Sequence, residues 1–139
     1  MEIDGVKITE RGWAGHFCSA HQCRFRRNTL LEYQDKKWIV STVGAMPQSK
    51  IMREIPEFCS KNGFETIGVG RYYETMAFKA QPITNKEGNI IYYDADVEED
   101  IDFDSEWAID NCDFETDQQA NEMHDKVVEE LIKKIKETK

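Results

Sequence analysis

The residues with most chemistry to offer fall in one stretch, 15–27, which reads GHFCSAHQCRFRR. His16, Cys18, His21 and Cys23 bring two imidazoles and two thiols within eight residues, a donor set suited to tetrahedral zinc. Structural zinc sites usually split their ligands into two distant pairs so that the metal closes a loop. Four donors this close would need a tight knuckle, with Cys59 or Cys112 available as further ligands. Zinc is therefore kept as an alternative to the expectation of no cofactor. Cys18 and Cys23 are separated by four residues, not the two of a thioredoxin-like pair. A cysteine beside a histidine also suggests a nucleophile, and Arg24, Arg26 or Arg27 could lower a thiol pKa. No orienting acid accompanies them, so no catalytic residue is assigned.

The arginines carry a second chemistry. On a strand, Arg24 and Arg26 share a face and Arg27 lies opposite, beside Phe25. Such a pair can grip a phosphate or a carboxylate bidentately. The competing expectation is internal: residues 94–117 carry twelve acidic side chains and no basic one, enough to neutralise the arginines within the domain. Asp100, Asp102, Asp104 and Glu106 alternate along that belt, yet the EF-hand pattern with its central glycine and terminal glutamate is missing. Closely spaced carboxylates with aromatic residues can instead dock on a basic surface of another protein. GVGRYYE holds only a GxG, and neither a phosphate-loop lysine nor an HExxH pair occurs.

These groups must be held by a chain of 139 residues, one domain in length, with 40% hydrophobic residues to build a core. No apolar run reaches the length of a spanning helix, and the acidic N-terminus is unlike a signal peptide. A cytoplasmic, non-membrane protein with reduced thiols is expected. The net charge of -9 is uneven: residues 1–79 sum to +3 and residues 80–139 to -12. That sign disfavours broad nucleic-acid binding.

The pattern predicts an α+β fold: a single domain, 1–139, of mainly antiparallel sheet, with a long C-terminal amphipathic helix packed on it and one short middle helix. FRRNTLLEY and KWIVSTVG make a hairpin through Gln34, Asp35 and Lys36. RYYETMAFKA has no cleanly polar face, which fits an internal strand, and NKEG turns it into NIIYYDA. Ile51, Ile55, Phe58 and Cys59 have helical spacing, with Pro56 inside the pattern giving an irregular start. Residues 94–117 form an acidic connecting segment anchored through Ile101, Phe103 and Trp107. From about Asp117 to Lys136, Ala120, Met123, Val127, Val128, Leu131, Ile132 and Ile135 trace one apolar stripe.

GWAGHFC, CRFRRNTLL, VSTVG, RYYETMAF and NEMHDKVVEEL together resemble a group of small uncharacterised proteins of bacteriophages and bacterial mobile elements. The resemblance spans most of the chain and implies a setting, an accessory or host-interaction protein with a counter-defence role, without assigning a role to any residue. The expected function is accordingly non-enzymatic: binding another protein through an acidic or mixed-charge surface. The alternatives are a small metalloprotein or enzyme centred on 16–27, and nucleic-acid binding through Arg24, Arg26 and Arg27.

Overall fold

The computed structural model describes residues 1–11, 23–50, 54–56, 63–67, 71–101, 107–110 and 116–137. Its strands are β1 (Glu2–Ile3), β2 (Val6–Glu10), β3 (Phe25–Tyr33), β4 (Lys36–Gly44), β5 (Met46–Pro47), β6 (Phe64–Glu65), β7 (Tyr73–Thr84), β8 (Ile90–Ile101) and β9 (Ala108–Ile109). One helix, α1 (Thr116–Glu137), follows them. The main sheet is antiparallel in the order β1-β2-β3-β4-β7-β8, with β9 also paired to β7, while β5 and β6 form a separate pair.

Local chemistry sets the turns. Asp4 and Gly5 both have positive φ, 53° and 84°, which suits the tight turn that places Ile3 opposite Val6. The β3–β4 link is shorter than the expected Gln34-Asp35-Lys36, because Lys36 already pairs with Tyr33 in the sheet. After β7, the Asn85 side-chain carbonyl accepts from the N–H groups of Glu87 and Asn89, each at 3.0 Å, and so braces the predicted NKEG turn.

Strand alternation places Leu31, Trp38, Val40 and Ala77 on one sheet face with Val6 and Ile8, and α1 covers them with Val127, Val128, Leu131, Ile132 and Ile135. All seven stripe residues expected from the sequence are buried. Asp117 stands in the first helical turn and Lys134 and Lys136 in the last, complementing the helix dipole. Nearer the start of α1, Ala120 and Met123 pack with Ala45 and Tyr73. The opposite sheet face buries Leu30, Ile39, Val43 and Phe78 as well. As expected, β7 is internal, between β4 on one side and β8 with β9 on the other.

The sheet curls into a half-barrel. The β7–β8 register shifts between Phe78 and Ala80, and pairing of β7 with β4 ends at Lys79. Beyond that point the two strands continue as an arm. Arg11, just past β2, donates from Nη1 to the Tyr93 carbonyl at 2.6 Å, and the Lys37 ammonium lies 5.0 Å from the Tyr93 ring centre. Those contacts draw opposite parts of the sheet toward each other.

The fold prediction needs one correction. Among the described residues α1 is the one helical element found, and the short middle helix is not: outside α1, only Lys50 and Glu54 are helical, just before Pro56. Ile55 and Pro56 form a bend and a turn where the spacing of Ile51, Ile55, Phe58 and Cys59 predicted a short helix with an irregular start. Proline removes an N–H and its ring opposes helical geometry in the residues before it, which overrides the apolar spacing. Residues 51–53 and 57–62 lie outside the described residues. No described helix is long and apolar enough to cross a membrane.

Two substitutions test this packing by chemical denaturation. Leu131→Ala, at a fully buried position under α1, should cost about 2–5 kcal/mol. Gly44→Ala should unfold the domain or nearly so, because a Cβ there would overlap the Tyr73 ring and the Tyr72 carbonyl, both part of a close-packed core.

Candidate functional site

Of the four proposed metal ligands, His16, Cys18 and His21 lie outside the described residues. Cys23 is a free, buried thiol packed with Val43 and Met46, and Ile67 flanks the group. Burial pushes its pKa up to about 11, against the smaller opposing effects of a hydrogen bond at Gly44 and the charge of Arg26. A thiol in that state is a weak nucleophile. Among the described residues no group of three or more His, Cys, Asp or Glu side chains is arranged to hold a metal.

The arginines separate. Arg24 precedes β3, so strand alternation does not govern it, and its guanidinium reaches α1: Nη2 bonds the Tyr73 hydroxyl at 2.8 Å and Asp117 at 3.2 Å. It also lies 4.7 Å from the Phe64 ring centre. The Tyr73 hydroxyl itself donates to Asp117. Burial first, then that carboxylate, raises the Tyr73 pKa. Arg27 faces α1 from β3 and is pinned between Glu10 at 2.8 Å and Asp125 at 2.7 Å, with the Asn121 carbonyl accepting at 3.3 Å. Arg26 points to the other sheet face, in the row Arg26–Val43–Glu74. The three arginines therefore do not make one anion grip. Neutralisation within the chain was expected, but the source differs: Asp117 belongs to the acidic belt, whereas Glu10 and Asp125 do not.

Beside Arg27 lies a polar chain that sequence reading missed. His124 is wholly buried, its Nε2 2.7 Å from Thr29 Oγ1 and its Nδ1 2.7 Å from Thr42 Oγ1. Thr29 continues to Glu10 at 3.0 Å, and Thr42 to Thr75 at 2.5 Å. Burial, then the nearby Arg27 charge, lowers the His124 pKa to about 3, so its imidazole is neutral near pH 7. Donor count then fixes the direction. Glu10 only accepts, so Thr29 must donate to it and must accept Nε2–H. Nδ1 is then the acceptor from Thr42, and Thr42 in turn accepts from Thr75. A signal existed in the sequence: position 124 falls on the apolar stripe, between Met123 and Val127.

The acidic belt is distributed over three elements. Residues 94–101 complete β8, 108–109 are β9, and 116–117 open α1. Asp100 lies opposite Phe78 along the β8 backbone; its side chain, and the whole of Asp102, Asp104 and Glu106, fall outside the described residues. Next to the belt, the β7–β8 arm exposes Ile90 by 54%, Ile91 by 61% and Tyr92 by 50%. Its outer edge is partly closed. Pro82 sits opposite Tyr93 and has no N–H to give, the Tyr93 carbonyl is taken by Arg11, and the Ala95 N–H donates to its neighbour Asp94 at 2.8 Å.

A cavity of about 490 Å³ separates β9 from the first half of α1, with Ile109 and Met123 as apolar lining and Asp110, Glu122 and Lys126 as charged groups. Arg71 and Glu74 stand behind β9, 2.7 Å apart at Nε and Oε2 but without hydrogen-bond alignment, and Arg71 lies over Trp107 at 5.2 Å.

The class so defined is an α+β domain, a curled antiparallel sheet carrying one long helix. Compared with protein-family models, curated proteins and solved structures, the chain matches none.

Two measurements follow from the buried groups. The folded-state pKa of His124, about 3, lies below the ordinary value of 6.5, so the unfolded chain takes up its proton first. The stability that the neutral imidazole confers is present above pH 6.5 and lost as pH falls toward 3, at up to about 1.4 kcal/mol per pH unit. Melting curves of the wild type should fall more steeply between pH 6.5 and 4 than those of His124→Gln, and parallel curves would refute a neutral buried imidazole. Peptide mapping after iodoacetamide treatment at pH 8 should find Cys23 unmodified in folded protein and alkylated after denaturation, since its pKa stands at about 11.

Proposed function

We propose that this protein is a non-enzymatic binding module whose contact surface for another protein is the β7–β8 arm. The observation that carries the reading is the arm itself: three consecutive side chains, Ile90, Ile91 and Tyr92, stand half or more exposed at the end of a two-stranded extension. The β7–β8 register shifts between Ile83 and Thr84, so Ile91 is an extra residue at a bulge between Ile90, opposite Thr84, and Tyr92, opposite Ile83. Contiguous exposed apolar surface of this kind is characteristic of interaction sites. Asp94, one residue beyond Tyr93, is exposed, so the partner is a protein that sets basic groups beside an apolar patch.

The chemistry of the other described groups supports binding over catalysis. Cys23 is a buried thiol, the His124 imidazole is neutral and enclosed, and Arg24 and Arg27 are held by carboxylates of the same chain. Arg11 and Asp94 occupy edge groups of β8, so contact runs through the arm's side chains and not through strand addition at Tyr93 or Ala95.

The full chain, coexpressed with the proteins of its source, should elute in a stoichiometric complex with a second polypeptide. Cys23→Ser should retain that complex and Ile91→Asp should lose it while melting within a few degrees of wild type. A wild-type chain that elutes without a partner, or a complex indifferent to Ile91→Asp, would rule the reading out.

A further inference from the structure

The edge of β9 differs from that of β8. Thr75 donates its N–H to the Trp107 carbonyl and Tyr72 to the Ile109 carbonyl, each at 2.8 Å, so the carbonyls on both sides of Ala108 face β7. Strand alternation turns the N–H and C=O of Ala108 to the opposite edge. No hydrogen bond of these two groups is found among the described residues. Ala108 lines the 490 Å³ cavity, as do Ile109 and Met123. An unpaired peptide edge, an apolar lining and a helix wall thus meet in one groove.

Charge selects the occupant. Asp110 and Glu122 contribute two carboxylates to the groove against one ammonium, Lys126, and all three side chains are exposed. That balance repels a phosphate chain and favours a cationic side chain, while the free main-chain pair favours an extended peptide.

We propose that the groove between β9 and α1 binds an extended segment of a partner protein, which adds to β9 at Ala108 and directs a lysine or arginine toward Asp110 and Glu122. Main-chain pairing is confined to Ala108, because β9 is two residues long. Side chains therefore carry much of the selectivity: one apolar group meets Ile109 and Met123, and one basic group meets the carboxylates. This site is separate from the β7–β8 arm and stands whether or not the arm binds a partner.

The probe is the peptide acetyl-Val-Lys-Val-Arg-Val-amide, titrated into the ¹⁵N-labelled full chain and followed by amide shifts. Saturable shifts should centre on Ala108, Ile109 and Asp110 of β9 and on Glu122 and Met123 of α1. The glutamate analogue acetyl-Val-Glu-Val-Glu-Val-amide should bind at least about tenfold more weakly. Glu122→Lys, at an exposed helix position, should weaken the basic peptide about fivefold or more. Ala108→Pro removes an outward N–H without touching the β7 pairing and should weaken it similarly. Ile91→Asp should bind as wild type does, which keeps this test distinct from that of the arm. Equal binding of both peptides, shifts that miss 108–110, or an unaltered affinity in both Glu122→Lys and Ala108→Pro would overturn the proposal.

Discussion

Beneath α1 the domain depends on a hydrogen-bond count that closes only one way. A neutral imidazole has one donor and one acceptor, and both nitrogens of His124 are engaged at 2.7 Å by threonines on different strands. The run from Thr75 through Thr42, His124 and Thr29 to Glu10 links β7, β4, α1, β3 and β2 in a single direction of donation. Removing a partner would leave a buried polar group unsatisfied, a cost of about 1–3 kcal/mol. A helix held by apolar contacts alone can rotate or slide at modest cost, whereas this one is tied to a particular register by polar contacts that no neighbouring residue repeats.

Arg27 extends that constraint to the surface. Its side chain joins Glu10 of β2 to Asp125 of α1, and it stands close enough to help keep His124 uncharged. Arg24 does comparable work at the start of the helix through Asp117 and Tyr73. Two arginines that in isolation suggest an anion site thus belong to the seam between helix and sheet. Their partners are partly exposed, so each pair contributes more to geometry than to net stability.

The parts of the fold legible in the sequence were those with local causes. The α1 stripe follows a helical period, and the strand pairs follow β-branched runs between turn residues. The interior position of β7 showed in its lack of a polar face. The middle helix failed because apolar spacing was given more weight than Pro56. The arginine contacts could not be read locally: the Arg24 and Arg27 bonds to α1 span 93 and 94 residues. Thr29, Thr42 and Thr75 looked like ordinary strand formers, and only the register shows that they share a face beneath His124. The groove at Ala108 depends on a two-residue strand, too short for any periodic signal.

Chain order gives the helix a further significance. α1 follows every strand that it covers, so a ribosome completes the sheet before the stripe from Ala120 to Ile135 has been made. At roughly 5–20 residues per second, the helix takes on the order of seconds to synthesise, and exit from the ribosome adds to that interval. During it Val6, Ile8, Leu31, Val40 and Ala77 lack the surface that buries them. The nascent sheet is then a sticky, half-finished object that a chaperone would recognise, and its maturation is one docking event that closes the core and orients the buried imidazole together.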